Sequence, residues 1–243
     1  MILTDVYGIP VKWIGCADEN KFATDDGLPK EVIVEHIAEG SLAGADSWFN
    51  NPASQASTNF MVGLNGEIHQ YVRIFGEAPF ANGVDRRNAA KVAKMDPRIK
   101  ALWEKHGWAN LNKLSLSVEH EGHSGDALTP KQFDASTKLT ATLGKIIGKS
   151  GPDLTAGHYP FDPIDRPNCP GCTESTWRLY DAEVARLIGV TEGGNMALDW
   201  APIKQLLDDV YNSNRRVGEA VEETRVALSE LYAEIRRQSP GSV

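Results

Sequence analysis

Along the chain the spacing of apolar residues changes several times, and each change marks an element. Val32-Ile33-Val34 is a β-branched run leading into His36, the composition of a strand buried on both faces. Residues 59–64 and 68–72 are apolar runs on either side of Asn65-Gly66, and Asn-Gly between such runs is the strongest short hairpin signal, so 59–72 reads as a hairpin. Leu114-Ser115-Leu116-Ser117-Val118-Glu119 alternates apolar and polar positions and predicts a third strand, ending in a carboxylate.

Helical spacing takes over at 97–106, where Pro97 suits the first turn, and at 130–148, with Thr129 as N-cap, Pro130 at the first helical position and Gly148 at the end. Residues 157–173, GHYPFDPIDRPNCPGCT, are too rich in Pro and Gly for a regular element and predict a structured loop. Helical stretches follow at about 174–188 and 200–237, separated by Gly193-Gly194-Asn195. The expected architecture is α/β: a mixed central β-sheet flanked by helices over residues 1–192, and a helical segment over 193–243.

In that last segment Ile203, Leu207, Val210, Asn214, Val217, Val221, Thr224, Leu228, Leu231 and Ile235 alternate spacings of four and three without a slip. A strict a/d stripe is narrower than the face a helix uses to dock on a globular domain, so it points to a coiled coil and a homo-oligomer through residues 200–237. An amphipathic helix folded back on the first domain is the alternative.

Composition narrows the function. The chain has 243 residues and a formal net charge of -8, without the basic stripe that phosphate neutralisation requires, so a nucleic-acid partner is not expected. No apolar run approaches the roughly 18 residues of a membrane span, and MILTDVYGIPVKWIG has neither the basic nor the apolar region of a signal peptide. Synthesis in the cytoplasm without membrane insertion is expected. Cys16, Cys169 and Cys172 are too few and oddly numbered for a disulfide framework. Cys16 follows Trp13-Ile14-Gly15 and reads as a core residue. Cys169-Pro-Gly-Cys172 lies in a Pro-rich loop, not at the start of a helix after a strand, which argues against a thioredoxin-like pair.

His36 ends an apolar strand, His158 opens the Pro/Gly loop and Cys169 follows in that loop. Two imidazoles and a thiolate form a three-ligand zinc set with one position free, the arrangement of catalytic zinc, although spacing alone is a weak signal. His69, His106, His120 and His123 read as structural or solvent-facing.

Five blocks tie the three residues together. VIVEHIAEGS, STNFMVGLNGEIHQYV, LSVEHEG, TPKQFDASTKLTATL and GHYPFDPIDRPNCPG, in this order, resemble successive blocks of the type-2 N-acetylmuramoyl-L-alanine amidases, a family that includes phage endolysins, recycling amidases and peptidoglycan recognition proteins. The resemblance covers roughly residues 9–190. It implies Zn2+ bound by His36, His158 and Cys169, with Glu119 as general base and acid and Glu121 as its rival. It implies substrate contacts from Thr58, Asn59 and Asn82, and cleavage of the amide between N-acetylmuramic acid and L-alanine in bacterial peptidoglycan. Two positions depart from the pattern. Pro167 stands where many members carry a Lys, leaving the adjacent Arg166 to supply the cation, and Thr58 stands where some phage members carry a Tyr. The stretch 84–113 is longer than expected and predicts a wall or lid of the substrate groove. The functional expectation is a phage endolysin, made in the host cytoplasm and acting at the wall after release. The alternatives are a cytosolic amidase that recycles wall fragments and a peptidoglycan-binding module without catalysis.

Overall fold

The computed structural model describes residues 1–24, 27–171 and 174–189. In chain order the elements are β1 (Asp5–Val6), β2 (Ile9–Trp13), β3 (Lys21–Ala23), β4 (Val32–Ile37), α1 (Leu42–Phe49), β5 (Phe60–Val62), β6 (Ile68–Gln70), β7 (Glu77–Pro79), α2 (Ala89–Lys94), α3 (Pro97–Lys105), α4 (Leu111–Leu114), β8 (Ser115–His120), α5 (Pro130–Ile147), β9 (Thr155–Gly157) and α6 (Glu174–Gly189). Seven strands form a mixed sheet in the order β1-β2-β6-β5-β8-β4-β9, while β3 and β7 pair separately. This is the expected mixed α/β architecture.

Next to the edge strand β9, β4 runs parallel to both β8 and β9 and is buried along its whole length. A strand covered on both faces has no solvent side to mark with polar residues, hence the apolar run Val32-Ile33-Val34 ahead of the buried Glu35 and His36. Side chains alternate between faces. Val32 and Val34 point to the front, where they pack with Met95, Ile99, Trp103, Leu111, Leu114 and Phe161, so α2, α3 and α4 cover one half of that face. The other half is covered by α1, whose Leu42 and Phe49 pack on Met61, Tyr71 and Val72. Behind the sheet, α5 and α6 pack on each other, with Phe133 against Tyr180.

Helix α5 starts and stops where its caps predict. The Thr129 hydroxyl accepts from the Gln132 amide at 3.1 Å, the Gln132 side chain accepts from the Thr129 amide, and Gly148 ends the helix at φ +68°. Such a cap contributes about 1 kcal/mol. Gln132 also donates to the carbonyls of Val62 and Glu121, at 3.0 and 2.9 Å, joining the helix start to the ends of β5 and β8.

The hairpin forms as β5 and β6, but its connection is longer than Asn65-Gly66 alone. The Gly63 amide donates to the Glu67 carbonyl, closing a loop in which Gly66 has φ +85°. A Cβ at Gly66 would also lie 2.9 Å from the Lys131 carbonyl oxygen, so both conformation and space require glycine there.

The boundary at Gly193-Gly194-Asn195, the segment 193–243 and its heptad stripe lie outside the described residues. Among those described, no helix is long and apolar enough to cross a membrane.

Candidate metal centre

The parallel register of β4 and β8 sets His36 beside Glu119 on the front face, at the carboxyl ends of both strands. That is where open α/β sheets place their ligand sites, because the loops leaving the strands can form walls there. The loop after β9 forms one of these walls. Phe161 anchors it in the front core, and backbone bonds from Arg166 to Asp162, Cys169 to Arg166 and Tyr159 to Cys169 fold it back on itself. Gly157 allows its close return, since a Cβ there would sit 2.7 Å from the Pro170 ring.

This folding brings His158 and Cys169 to His36. Cys169 Sγ is 3.8 Å from His36 Nδ1, the two imidazoles meet edge to face at 4.5 Å between centroids, and one donor atom from each residue lies within 4.8 Å of the others. Among the described residues this is the one cluster of His, Cys, Asp or Glu that could hold a metal ion. Thiolate and imidazole on a tetrahedral zinc stand about 3.5 Å apart, so the sulfur and His36 already have suitable spacing.

Electrostatics agree with the donor set. Burial drives His36 well below the ordinary imidazole range, assisted by His158, and burial together with Arg166 lowers His158 to about 4. Both rings are therefore neutral and offer lone pairs. Burial, then the neighbouring Glu119, pushes the Cys169 thiol up to about 12, so it ionises only beside a compensating cation. Two neutral imidazoles and a thiol that needs a cation fit a zinc ion.

Glu119 Oε1 lies 3.8 Å from His36 Nδ1, while its Oε2 is buried without a hydrogen-bond partner. Desolvation raises this carboxyl to about 8, against the opposing pull of Arg166. The four residues line a groove of about 690 Å³, which the exposed Trp48 and Arg166 line as well. The Arg166 side chain has no hydrogen-bond or ion-pair partner among the described residues, and its charge is felt by His36, Glu119, His158 and Cys169.

Other sequence expectations need correction. Glu121 is not an alternative to Glu119: its two oxygens accept from the Leu42 amide at 3.1 Å and the Leu64 amide at 2.8 Å, holding the start of α1 to the hairpin. Thr58, Asn59 and Asn82 are fully buried, and the structure spends them internally instead of presenting them to a substrate. Thr58 bonds Ser117, Asn59 bonds the backbone of Ser117 and Arg73, and Asn82 Oδ1 is 2.7 Å from His36 Nε2. The stretch 84–113 neither walls nor lids the groove, since none of its residues lines it. It fills the front core, and Lys91 pairs with Asp162 and Asp165 in the loop that carries His158.

The remaining histidines stand apart from the cluster. His69 lies between Asp46 and Glu67, His106 pairs with Glu31, His120 bonds the His36 carbonyl and Ser136, and His123 is exposed. Cys16 is half-buried against the α1 cluster, and Cys172 lies outside the described residues. Trp48 and Lys91 went unrecognised in the sequence, because α1 has no clear apolar period and the lysine's partners are more than seventy positions away.

A mixed sheet bearing a His-His-Cys cluster beside an unpaired carboxyl defines an α/β protein with a candidate metallohydrolase centre. A family model described as N-acetylmuramoyl-L-alanine amidase matches residues 25–172, which include all four residues, and the chain belongs to that family. N-acetylmuramoyl-L-alanine amidase A of Achromobacter lyticus is 27% identical over 130 residues, 52% of this chain and 58% of that protein, so the match spans less than two thirds of the relative. The solved catalytic domain of XlyA covers 72% of this chain and 99% of its own at 17% identity and a TM-score of 0.50. A point mutant of PlyL matches with 13% identity and a TM-score of 0.51 over 72% of this chain and 98% of its own. At these identities the structural likeness is one of fold.

Proposed function

We propose that the chain hydrolyses the amide between N-acetylmuramic acid and L-alanine in peptidoglycan, with zinc held by His36, His158 and Cys169. The observation that carries this reading is the convergence of those donors with the unpaired Glu119 carboxyl in one surface groove. When bound, zinc supplies Lewis acidity toward a carbonyl oxygen and toward water. Glu119 takes the proton of the attacking water and delivers it to the departing amide nitrogen, its carboxyl lining the same groove as the three donors. Arg166 faces the same groove as a free cation and adds attraction for the developing oxyanion.

We further propose that the substrate is the wall polymer and the enzyme a lysin of the phage endolysin kind, made in the host cytoplasm and acting after release. Support comes from the groove's exposed flanks, Trp48 and Arg166, and from the heptad stripe of residues 200–237, which by pairing chains would add avidity for a polymer. The deciding assay follows new L-alanine amino termini and reducing ends released from purified wall by native, chelated and zinc-restored protein. Amino termini without reducing ends, lost on chelation and restored by zinc, are expected. No release by zinc-loaded protein refutes the amidase reading, and faster cleavage of soluble muropeptides than of intact wall refutes the lysin reading.

A further inference from the structure

His36 is the one member of the ligand cluster with a buried side-chain partner away from the groove, and that partner decides which ring nitrogen faces the cluster. The chain of bonds starts in the long insertion. The Ser115 hydroxyl lies 2.7 Å from the Leu111 carbonyl, which can only accept, so Ser115 gives its single proton there. Toward Asn82, at 2.8 Å, Ser115 can therefore only accept, which places the Asn82 NH2 on the Ser115 side. The amide oxygen of Asn82 is left facing His36 Nε2 at 2.7 Å, so His36 must carry its proton on Nε2. Its Nδ1, 3.8 Å from Cys169 Sγ, then keeps a lone pair for the metal. Asn112, also from the insertion, holds this arrangement by accepting from the amides of Ala81 and Asn82. Asn82, Ser115 and Asn112 are all buried, so water does not compete for these bonds.

We propose that Asn82 is a positioning residue for the metal centre: oriented by Ser115 and Asn112, it locks His36 in the tautomer whose Nδ1 binds zinc. This rests on the metal site proposed above and gives the 84–113 insertion a part in it, through Leu111 and Asn112. Partners of this kind typically change metal affinity 10- to 100-fold when removed. Asn82→Leu removes the acceptor; Asn82→Asp keeps it, and Ser115→Ala frees the amide to turn over.

The test uses the full chain. Nitrogen-15 spectra of the metal-free wild type report the His36 tautomer, and competition with a chromophoric chelator reports zinc affinity in the wild type and the three variants. Expected are Nε2–H in the wild type, a loss of roughly 10- to 100-fold in zinc affinity for Asn82→Leu, a smaller loss for Ser115→Ala and near wild-type affinity for Asn82→Asp. Thermal melts accompany each variant; a merely structural role would lower Tm while leaving the tautomer and the affinity of the folded protein unchanged, and that outcome overturns the proposal. Nδ1–H in the wild type overturns it without any variant, even if Asn82→Leu does not fold. Nε2–H together with no zinc binding by the wild type would refute the metal reading and leave the tautomer assignment standing.

Discussion

Glu35 and Glu119 stand on neighbouring strands, the first buried and the second half-buried, and both are raised to about 8 by desolvation, yet they face opposite sides of the sheet. Behind the sheet, Glu35 Oε1 accepts from Thr140 at 3.0 Å and Tyr180 at 3.1 Å, in a network that runs through Ser136 to His120. In front, Glu119 has no hydrogen-bond partner on Oε2, its side chain retains 16% exposure, and it opens on the groove. Equal desolvation therefore serves different ends. Each keeps its Oε2 without a hydrogen-bond partner, but the back carboxyl is tied into the packing through Oε1, whereas the front one opens on the groove, where a substrate or water can reach it. Buried polar groups lacking partners are rare because each costs about 1–3 kcal/mol, and Glu119 is the one of the two that stands beside a candidate metal ligand, its Oε1 3.8 Å from His36 Nδ1.

Substitutions on the two faces should give opposite results. Glu119→Gln removes the proton carrier and should lower amide hydrolysis by about 10²- to 10⁴-fold, with Tm unchanged or raised because an uncompensated buried carboxyl is gone. Wall-release assays beside thermal melts check both halves, and a stable, active variant would break the contrast. Glu35→Leu should do the reverse. Removing the acceptor shared by Thr140 and Tyr180 leaves their hydroxyls to pair with each other, at 2.8 Å, and with Ser136, so the lost bonds should cost about 1–3 kcal/mol in denaturant unfolding, while the zinc-loaded folded protein keeps its activity.

A smaller effect tests how the front face is held. Its metal-ligand loop is pinned through Lys91, which is paired with Asp162 and Asp165. Lys91→Met should cost about 2 kcal/mol by leaving the buried Asp162 without its cation, and should weaken zinc binding, as read by chelator competition. Equal zinc affinity in the variant would show that packing of Phe161 alone positions the loop.

Glu31, just before β4, completes the comparison because its carboxyl is satisfied by charge. Burial alone would raise it, but Lys149, Lys105 and His106 outweigh burial and hold it at about 2. A carboxyl lowered from 4.5 stabilises the fold above that pH and loses its contribution as pH falls toward 2. Both lysines are substantially exposed, so screening leaves about 1 kcal/mol. Glu31→Gln should thus lower stability near pH 7 and flatten its decline between about 4.5 and 2, and added salt should narrow the gap to wild type.

Much of this was legible in the residues. The apolar run into His36, the alternating run into Glu119 and the Thr129/Gly148 caps are local patterns, and β4, β8 and α5 form where they indicate. The short strands at the sheet edges and the small helix α1 carry too few residues to show a period, and their pairing comes from partners distant in sequence. The family resemblance implies substrate contacts from Thr58, Asn59 and Asn82, polar residues whose local sequence does not mark them as buried. Burial reverses that meaning, and burial is not a property of a short stretch of chain.

The sequence by itself determined the donor types, the strands that carry His36 and Glu119, and the Pro/Gly loop that carries His158 and Cys169, because each is written in neighbouring residues. Only the tertiary structure decided that the parallel register sets His36 beside Glu119, that Glu121 is consumed by two backbone amides, that the long insertion supports the core instead of covering the groove, and that Asn82 reaches the His36 ring. Those outcomes depend on distances between residues tens of positions apart. Such distances are set by how the two faces of the sheet are filled, and no local pattern of side chains encodes them.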